Sequence, residues 1–360
     1  MLYRVLCFVL AVCAVFFSFS FCAFAESGGV SVSAKSAILL DADSGRALYE
    51  KNARIRMPMA STTKIMTALV ALENCDTDET VKISPDAVGV EGSSVYLSAD
   101  EELTLGDLLY ALLLSSANDA AEAIAIHVSG SVEGFVGLMN ESAKRLGLFD
   151  TCFDNPHGLH SEKHYTTALD LARLTAYALR NESFLRIVST YKYNIKSADG
   201  TVRYLVNHNR LLKSYDGCIG VKTGFTKKGG RCLVSAARRD GLTLVAVTLS
   251  APDDWNDHRR MLDYGFSNYR SVLLCEKGEK IMTLHNVSGE TLPLALVPTS
   301  SVRVTVKKGG EEIKRVVECP RFLWETPKEN ETVGRCVFYL GDKIIGETEL
   351  IGVIPRETFG

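Results

Sequence analysis

The spacing of apolar and polar positions changes several times along this chain, and each change predicts a different kind of element. The first residues, MLYRVLCFVLAVCAVFFSFSFCAFA, set Arg4 ahead of an apolar run that ends in Ala23-Phe24-Ala25, the small-x-small pattern of a leader cleavage site. From Val30, VSVSAKSAILLDADSGRALYE holds two strand-like runs around an Asp-Ala-Asp-Ser-Gly turn, which predicts a hairpin. The stretch MPMASTTKIMTALVALE, from Met57 to Glu73, then reads as a loop running into a helix. Pro58 blocks helix before it, Ser61, Thr62 and Thr63 offer side-chain oxygens to free backbone N–H groups, and Ile65, Met66, Leu69, Val70 and Leu72 make an apolar side. After a loop with Pro85 and the stretch from Gly89 to Ser98, LTLGDLLYALLLSSANDAAEAIAIHVSG is apolar at helical spacing, with a break near Ser115 to Asn118. Ser131 to Leu146 and Thr167 to Arg180 predict two more helices, the second capped by Thr167.

Past Tyr191 the period shortens. YKYNI, VRYLVN, IGVKTGF, RCLVSAAR and LTLVAVTLS read as neighbouring antiparallel strands, the last two joined at Arg239-Asp240-Gly241. Asp254 to Tyr269 is helical in pattern and suited to lie across a sheet face. Strands dominate again from Val272, with turns at Gly309-Gly310 and Gly341-Asp342. This divides the chain into a leader, 1–25, a mixed domain, 26–272, and a β-rich domain, 273–360.

Three short motifs carry candidate chemistry. Ser61 and Lys64 are three residues apart on a predicted helix, so they share a face, and they pair a nucleophile with an amine that becomes a base when held neutral. A second S-x-x-K, Ser189 to Lys192, shows that this spacing alone is not decisive. Ser116-Ala117-Asn118 sits in the helical break, either presenting two polar side chains to a cleft or capping the helix from Asp119. Lys222-Thr223-Gly224 lies on a predicted strand, with Lys222 and Gly224 on one face. There Gly224 would let a substrate backbone approach closely and Lys222 would add a second cation near Lys64, with an exposed edge lysine the alternative that the tripeptide alone favours.

Composition changes the picture only at the margins. The 360 residues are 46% hydrophobic and 23% charged, enough for a large core and against extended disorder, and a net charge of -3 gives no nucleic-acid footprint. The leader implies work outside the cytoplasm, with retention of the apolar run as a membrane anchor the alternative to cleavage after Ala25. Of the ten cysteines, Cys7, Cys13 and Cys22 lie in the leader, and the other seven lack paired C-x-x-C spacing and read mostly as small buried residues. His157, His160 and His164 cluster without the spacing of a metal helix, and no metal and no cofactor are expected for the protein. Trp255, His258, Arg259 and Arg260 read as a packed helix with a solvated basic end.

The order S-x-x-K, S-x-N, K-T-G, on a helix start, a helical break and a strand, resembles the D-alanyl-D-alanine carboxypeptidases, the low-molecular-mass penicillin-binding proteins. The resemblance covers most of the chain beyond the leader, including Asn155-Pro156-His157-Gly158-Leu159 and Lys222-Thr223-Gly224-Phe225-Thr226. It implies an α/β fold of the penicillin-binding transpeptidase and β-lactamase type: an antiparallel sheet with flanking helices and a helical insertion, followed by a small all-β domain. It also implies that Ser61 is acylated by peptidoglycan stem peptides ending in D-Ala-D-Ala, with β-lactams as covalent inhibitors. Lys64 would be the base and Ser116, with Lys222, would relay a proton to the leaving amine. Asn118 would hold the substrate amide, Thr223 and Arg210 the carboxylate, and the N–H groups of Ser61 and Phe225 the oxyanion. Phe225 departs from the histidine frequent at that position in the family, and LIGVIPRETFG is too short and irregular for the family's amphipathic membrane helix, so membrane attachment stays uncertain. A β-lactamase would need a glutamate in E-x-x-x-N after the second motif, and none of Glu122, Glu133, Glu141, Glu162 and Glu182 fits. A crosslink-cleaving endopeptidase would be a smaller shift in substrate. A wall-binding module without turnover would keep the cleft, but three intact motifs argue against it.

Overall fold

The computed structural model describes residues 29–197, 200–285, 294–310 and 312–354. The expected leader, its cleavage point and the last six residues lie outside them. Strands β1 (Ser36–Asp41) and β2 (Ala47–Lys51) form the predicted hairpin. A 3-10 turn, Ala60–Thr63, then leads into α1 (Lys64–Asn74). The hydroxyls of Thr62 and Thr63 do not cap α1 as the sequence suggested. They donate to the carbonyls of Met59 at 2.6 Å and Ala60 at 2.8 Å, because the 3-10 turn already supplies backbone acceptors to the N–H of Lys64.

A short ribbon, β3 (Thr80–Lys82) with β4 (Glu102–Thr104), precedes the helical cluster. The cluster comprises α2 (Leu105–Leu114), α3 (Asn118–Ser129), α4 (Val132–Arg145), α5 (Ala168–Ala178) and α6 (Glu182–Ser189). Thr167 caps α5 as predicted, accepting from the Asp170 N–H at 3.0 Å. The eight residues of α6 are too few for periodicity to reveal, and the sequence reading missed that helix. Next come β5 (Lys192–Lys196), β6 (Val202–Val206), the single turn α7 (Leu211–Ser214), β7 (Cys218–Thr226), β8 (Gly230–Arg239), β9 (Leu242–Leu249) and α8 (Asp254–Asn268).

The central sheet is antiparallel throughout, in the order β2-β1-β9-β8-β7. Contrary to the sequence reading, β5 and β6 do not join it. They form their own ribbon, because each buries only one position, Ile195 and Leu205, and so has a single apolar side to lay on the helices. Tyr193 of that ribbon stacks on Tyr110 of α2 with ring centroids 3.6 Å apart.

Strand alternation gives the sheet two apolar faces. Ile38 opposite Val247, and Leu40 opposite Val245, point into the core shared with α1 to α5, where each fully buried side chain contributes about 1.5–3 kcal/mol. The other face carries α8, whose buried His258 lies between Ser235 of β8 and Thr248 of β9.

On leaving α8 the chain becomes all β: β10 (Tyr269–Cys275), β11 (Met282–Leu284), β12 (Leu294–Pro298), β13 (Val302–Lys307), β14 (Ile313–Glu318), β15 (Thr332–Leu340) and β16 (Lys343–Val353). A five-stranded sheet, β11-β12-β16-β15-β14, and the β10-β13 ribbon enclose a small core with Leu296, Val304, Phe338 and Leu350. The mixed domain with a helical insertion and the small all-β domain are the architecture expected. No helix among the described residues is long and apolar enough to cross a membrane.

Candidate active site

Ser61 lies where the 3-10 turn is pinned between two glycine-containing segments. A Cβ on Gly158 would come within 2.0 Å of the Ala60 carbonyl oxygen and 2.9 Å of the Ser61 nitrogen, and Gly158 has φ +95°. A Cβ on Gly224 of β7 would come within 3.0 Å of the Ser61 nitrogen and 3.2 Å of the Thr62 nitrogen. The sequence reading assigned the missing side chain of Gly224 to approach of a substrate. The structure fills that space with the Ser61 turn itself.

Lys64 is fully buried at the start of α1. Its Nζ donates to Asn118 Oδ1 at 2.7 Å and to the His157 carbonyl at 2.7 Å, and lies 3.3 Å from Ser61 Oγ. Burial, reinforced by the charge of Lys222, holds this amine well below the ordinary lysine value. An ammonium has three N–H groups and a neutral amine has two plus a lone pair. Two carbonyl oxygens therefore satisfy the neutral form and leave its lone pair for the Ser61 hydroxyl.

Asn118 opens α3, and its Nδ2 donates to the Glu91 carbonyl. Each end of its amide thus makes one bond inside the protein, Oδ1 to Lys64, which leaves a second Nδ2–H. The break before α3 puts Ser116 at φ +61°, and its hydroxyl has no hydrogen-bond partner among the described residues while lining the cavity beside Ser61. Asp119 does more than follow a cap. Its carboxylate accepts from Ser94 Oγ at 2.6 Å and from the N–H groups of Val95 and Leu97 at 3.1 Å, which fixes the loop that brings Ser93 to the cavity. Lys222 is buried, donates to the Thr223 carbonyl at 2.9 Å, and is brought by burial down to about 7.

The cavity measures about 570 Å³, and Ser61, Ser116, Thr223, Gly224, Phe225 and Arg210 all line it. The far wall was not anticipated. Trp255 of α8 stands there between Arg210 and Arg231, whose guanidinium carbons lie 6.0 Å and 5.9 Å from its ring. Arg231 is paired to Asp254 at 2.8 Å, whereas Arg210 has no carboxylate partner among the described residues. The sequence reading had placed Trp255 on a helix with a solvated basic end. The helix is packed and Arg260 is exposed as read, tied to Asp257 at 2.6 Å, but His258 is buried and Trp255, in the N-terminal part of α8, faces the cavity. Tyr191 and His208 also reach the cavity, unsignalled by any motif.

The histidine cluster is structural at two of its three positions. His164 accepts the Asp154 N–H at Nδ1, 3.0 Å, so its Nε2 proton faces Thr63 Oγ1 at 2.7 Å, just behind the nucleophile turn. The His157 ring contacts Glu122 at 3.3 Å while its carbonyl holds Lys64. Burial takes the two imidazoles to about 4 and about 3, so both are neutral near pH 7. The seven cysteines from Cys75 onward are all thiols, with Cys232, Cys275 and Cys336 buried and the other four half-buried, fewer in the core than expected.

Residues 23–253 match the D-alanyl-D-alanine carboxypeptidase family, and residues 269–352 match the C-terminal domain of penicillin-binding protein 5. The chain belongs to the D-alanyl-D-alanine carboxypeptidase family. That makes it an enzyme of the serine peptidase class. It is 33% identical over 341 residues to the D-alanyl-D-alanine carboxypeptidase DacF of Bacillus subtilis, covering 91% of this chain and 88% of the relative. Penicillin-binding protein 5 from Haemophilus influenzae superposes with a TM-score of 0.77 at 27% identity, over 91% of this chain and 98% of that one. The Streptomyces K15 DD-transpeptidase gives 0.62 at 34% identity, over 66% of this chain and 98% of that one. The first of these structures extends over the all-β domain as well as the mixed domain.

Proposed function

We propose that this carboxypeptidase removes the terminal D-alanine from peptidoglycan stem peptides through a Ser61 acyl-enzyme and is acylated at the same residue by penicillin. The observation that carries the reading is the Lys64 amine, buried, satisfied by two carbonyl oxygens and 3.3 Å from Ser61 Oγ. Ser61 Oγ attacks the penultimate D-alanine carbonyl as its proton passes to Lys64 Nζ. The oxyanion is received by the N–H groups of Ser61 and Phe225. The amide C–N bond then breaks, and the departing D-alanine nitrogen takes its proton by way of Ser116, whose unpartnered hydroxyl is free to relay it. Water hydrolyses the ester and regenerates Ser61.

Thr223, Lys222 and the unpaired Arg210 supply hydroxyl and positive charge for the terminal carboxylate. Asn118 holds Lys64 through Oδ1 and the Glu91 carbonyl through one Nδ2–H, and its second N–H is left for the substrate amide. Glu122 is held by the His157 ring, and Asp254, the one carboxylate among the described residues that line the cavity, is paired to Arg231. Among the described residues no free carboxylate lines the cavity to activate a water, which favours a long-lived penicillin adduct over β-lactamase turnover.

In this reading residues 1–25 export the enzyme, residues 26–272 act on the wall, and residues 273–360 serve as a spacer or docking part. The test follows D-alanine release from a peptide ending in D-Ala-D-Ala, with and without penicillin. Release that penicillin blocks, and loss of penicillin labelling in Ser61→Ala with its circular dichroism unchanged, are expected. Labelling that persists in the variant refutes the nucleophile, and labelling without release moves the substrate to crosslinked peptides.

A further inference from the structure

Away from the cavity, the far end of α1 holds a second cluster of reactive side chains. The chain leaves α1 through Cys75 and turns at Asp76 to Glu79, and these side chains meet His127 in the last turn of α3. One ligand atom from each of Cys75, Glu79 and His127 lies within 4.8 Å of the other two. Two of the three are already oriented. Glu79 Oε1 accepts the Asp76 N–H at 2.7 Å, the Glu79 N–H bonds the Asp76 carbonyl at 3.2 Å, and Glu79 Oε2 faces His127 Nε2 at 3.2 Å. Cys75 is a free, half-buried thiol. The cluster is open to solvent, with the His127 and Glu79 side chains 23% and 42% exposed, so an ion can enter.

We propose that Cys75, Glu79 and His127 bind one zinc ion, with water in the fourth position. A sulfur, an imidazole nitrogen and a carboxylate oxygen form a mixed donor set for a borderline-soft ion, whereas magnesium and calcium call for oxygen donors. Tetrahedral bonds of about 2.0–2.3 Å put ligand atoms about 3.3–3.7 Å apart, so side-chain rotations without backbone movement close the site. On binding, the Cys75 proton goes to solvent, and thiolate and carboxylate together balance the charge of the ion. Both helices end at this point, and the partial negative charge of their C-termini also favours a cation.

The location gives the site a consequence. The opposite ends of the same two helices carry Lys64 and Asn118, bonded at 2.7 Å. Zinc would join α1 to α3 a second time, about 14–17 Å from that bond along the helix axes, since Cys75 follows Lys64 by 11 residues and His127 follows Asn118 by 9.

Zinc itself is the probe. Chelator-treated protein, kept reduced, is titrated with Zn²⁺ against a chromophoric competitor, and Cys75 and Cys152 are followed by N-ethylmaleimide labelling and peptide mass spectrometry. One site is expected, weakened by more than a hundredfold in His127→Gln and in Glu79→Gln, beyond the roughly 10–100-fold that orienting partners alone cost. Zinc should shield Cys75 and leave Cys152 reactive. Circular dichroism and melting of the metal-free variants establish that they fold. Zinc affinity unchanged in His127→Gln, or Cys75 labelling indifferent to zinc, overturns the site. None of these readouts uses peptide or penicillin turnover, so the outcome is independent of the serine mechanism.

Discussion

Replacing Gly158 by alanine tests whether the backbone itself positions the nucleophile. The new Cβ would stand 2.0 Å from the Ala60 carbonyl oxygen and 2.4 Å from its carbon, both backbone atoms that no side-chain rotation can clear. A non-glycine residue at φ +95° adds left-handed strain of about 1–2 kcal/mol, and overpacking adds about 1–3 kcal/mol, so the fold should lose about 2–5 kcal/mol. The chain relieves this by moving the 157–159 segment away from the Ser61 turn. Because the His157 carbonyl holds Lys64 at 2.7 Å, that motion also separates base from nucleophile. A misplacement of about 1 Å costs on the order of a hundredfold in rate. The assay is the second-order rate of acylation by a fluorescent penicillin, beside a thermal melt. Gly137→Ala in α4, where a Cβ meets nothing within 4 Å, is the control, expected to acylate normally and to gain about 0.5–1 kcal/mol. A Gly158→Ala protein that melts and acylates like the parent would refute the close approach and the positional argument built on it.

Asn118→Ala removes one of the two carbonyl acceptors of Lys64, and an unsatisfied buried group costs about 1–3 kcal/mol, which predicts acylation slowed roughly 5- to 150-fold with penicillin still bound at Ser61. Lys222→Met removes a charge that depresses Lys64. Neutral Lys64 exists only above its own pKa, so the acid limb of the acylation profile should move to higher pH, and a limb that stays in place would separate the two lysines electrostatically. His157, His164 and His258 are lowered by burial to about 3, about 4 and about 3, against 6.5 in the unfolded chain. Below pH 6.5 the unfolded state binds the extra protons, so each should cost about 1.4 kcal/mol of stability per pH unit on acidification until its folded value is reached. A melting temperature flat between pH 7 and 5 would contradict three buried neutral imidazoles.

What the sequence revealed followed from periodicity and from local motifs. The hairpin before Ser61, the break before Asn118, the Thr167 cap and the strands from IGVKTGF to LTLVAVTLS each depend on neighbours within a few residues. The three motifs could be read singly, and their order named a family. The separate β5-β6 ribbon and the eight-residue α6 were not legible, because nothing local distinguishes a strand that extends a sheet from one laid across helices. Trp255, Tyr191 and His208 were missed at the cavity for a similar reason. Their roles arise where α8 and the strands around β7 converge, and each alone is an ordinary core or surface residue. Cys75, Glu79 and His127 escaped because Glu79 and His127 stand 48 residues apart, outside any metal-binding spacing.

The site's division of labour explains why a three-residue spacing could point to chemistry without supplying it. Ser61 and Lys64 are adjacent by helix geometry, as Ser189 and Lys192 also are in sequence. Lys192, however, begins an exposed strand position, and the Ser189 hydroxyl is spent on the Leu185 carbonyl at 2.7 Å. Lys64 differs in three contributions from elsewhere: the Asn118 side chain on α3, the His157 carbonyl from a loop, and the Lys222 charge on β7. Burial alone would leave an amine lowered in pKa but without direction. The two acceptors aim the lone pair, and they do so only while Gly158 and Gly224 allow their segments to press against the Ser61 turn. Basicity is thus set by burial and the Lys222 charge, and direction by the Asn118 side chain and the His157 carbonyl, so substitutions at the two glycines should affect acylation without shifting its acid limb, while substitution at Lys222 should shift it.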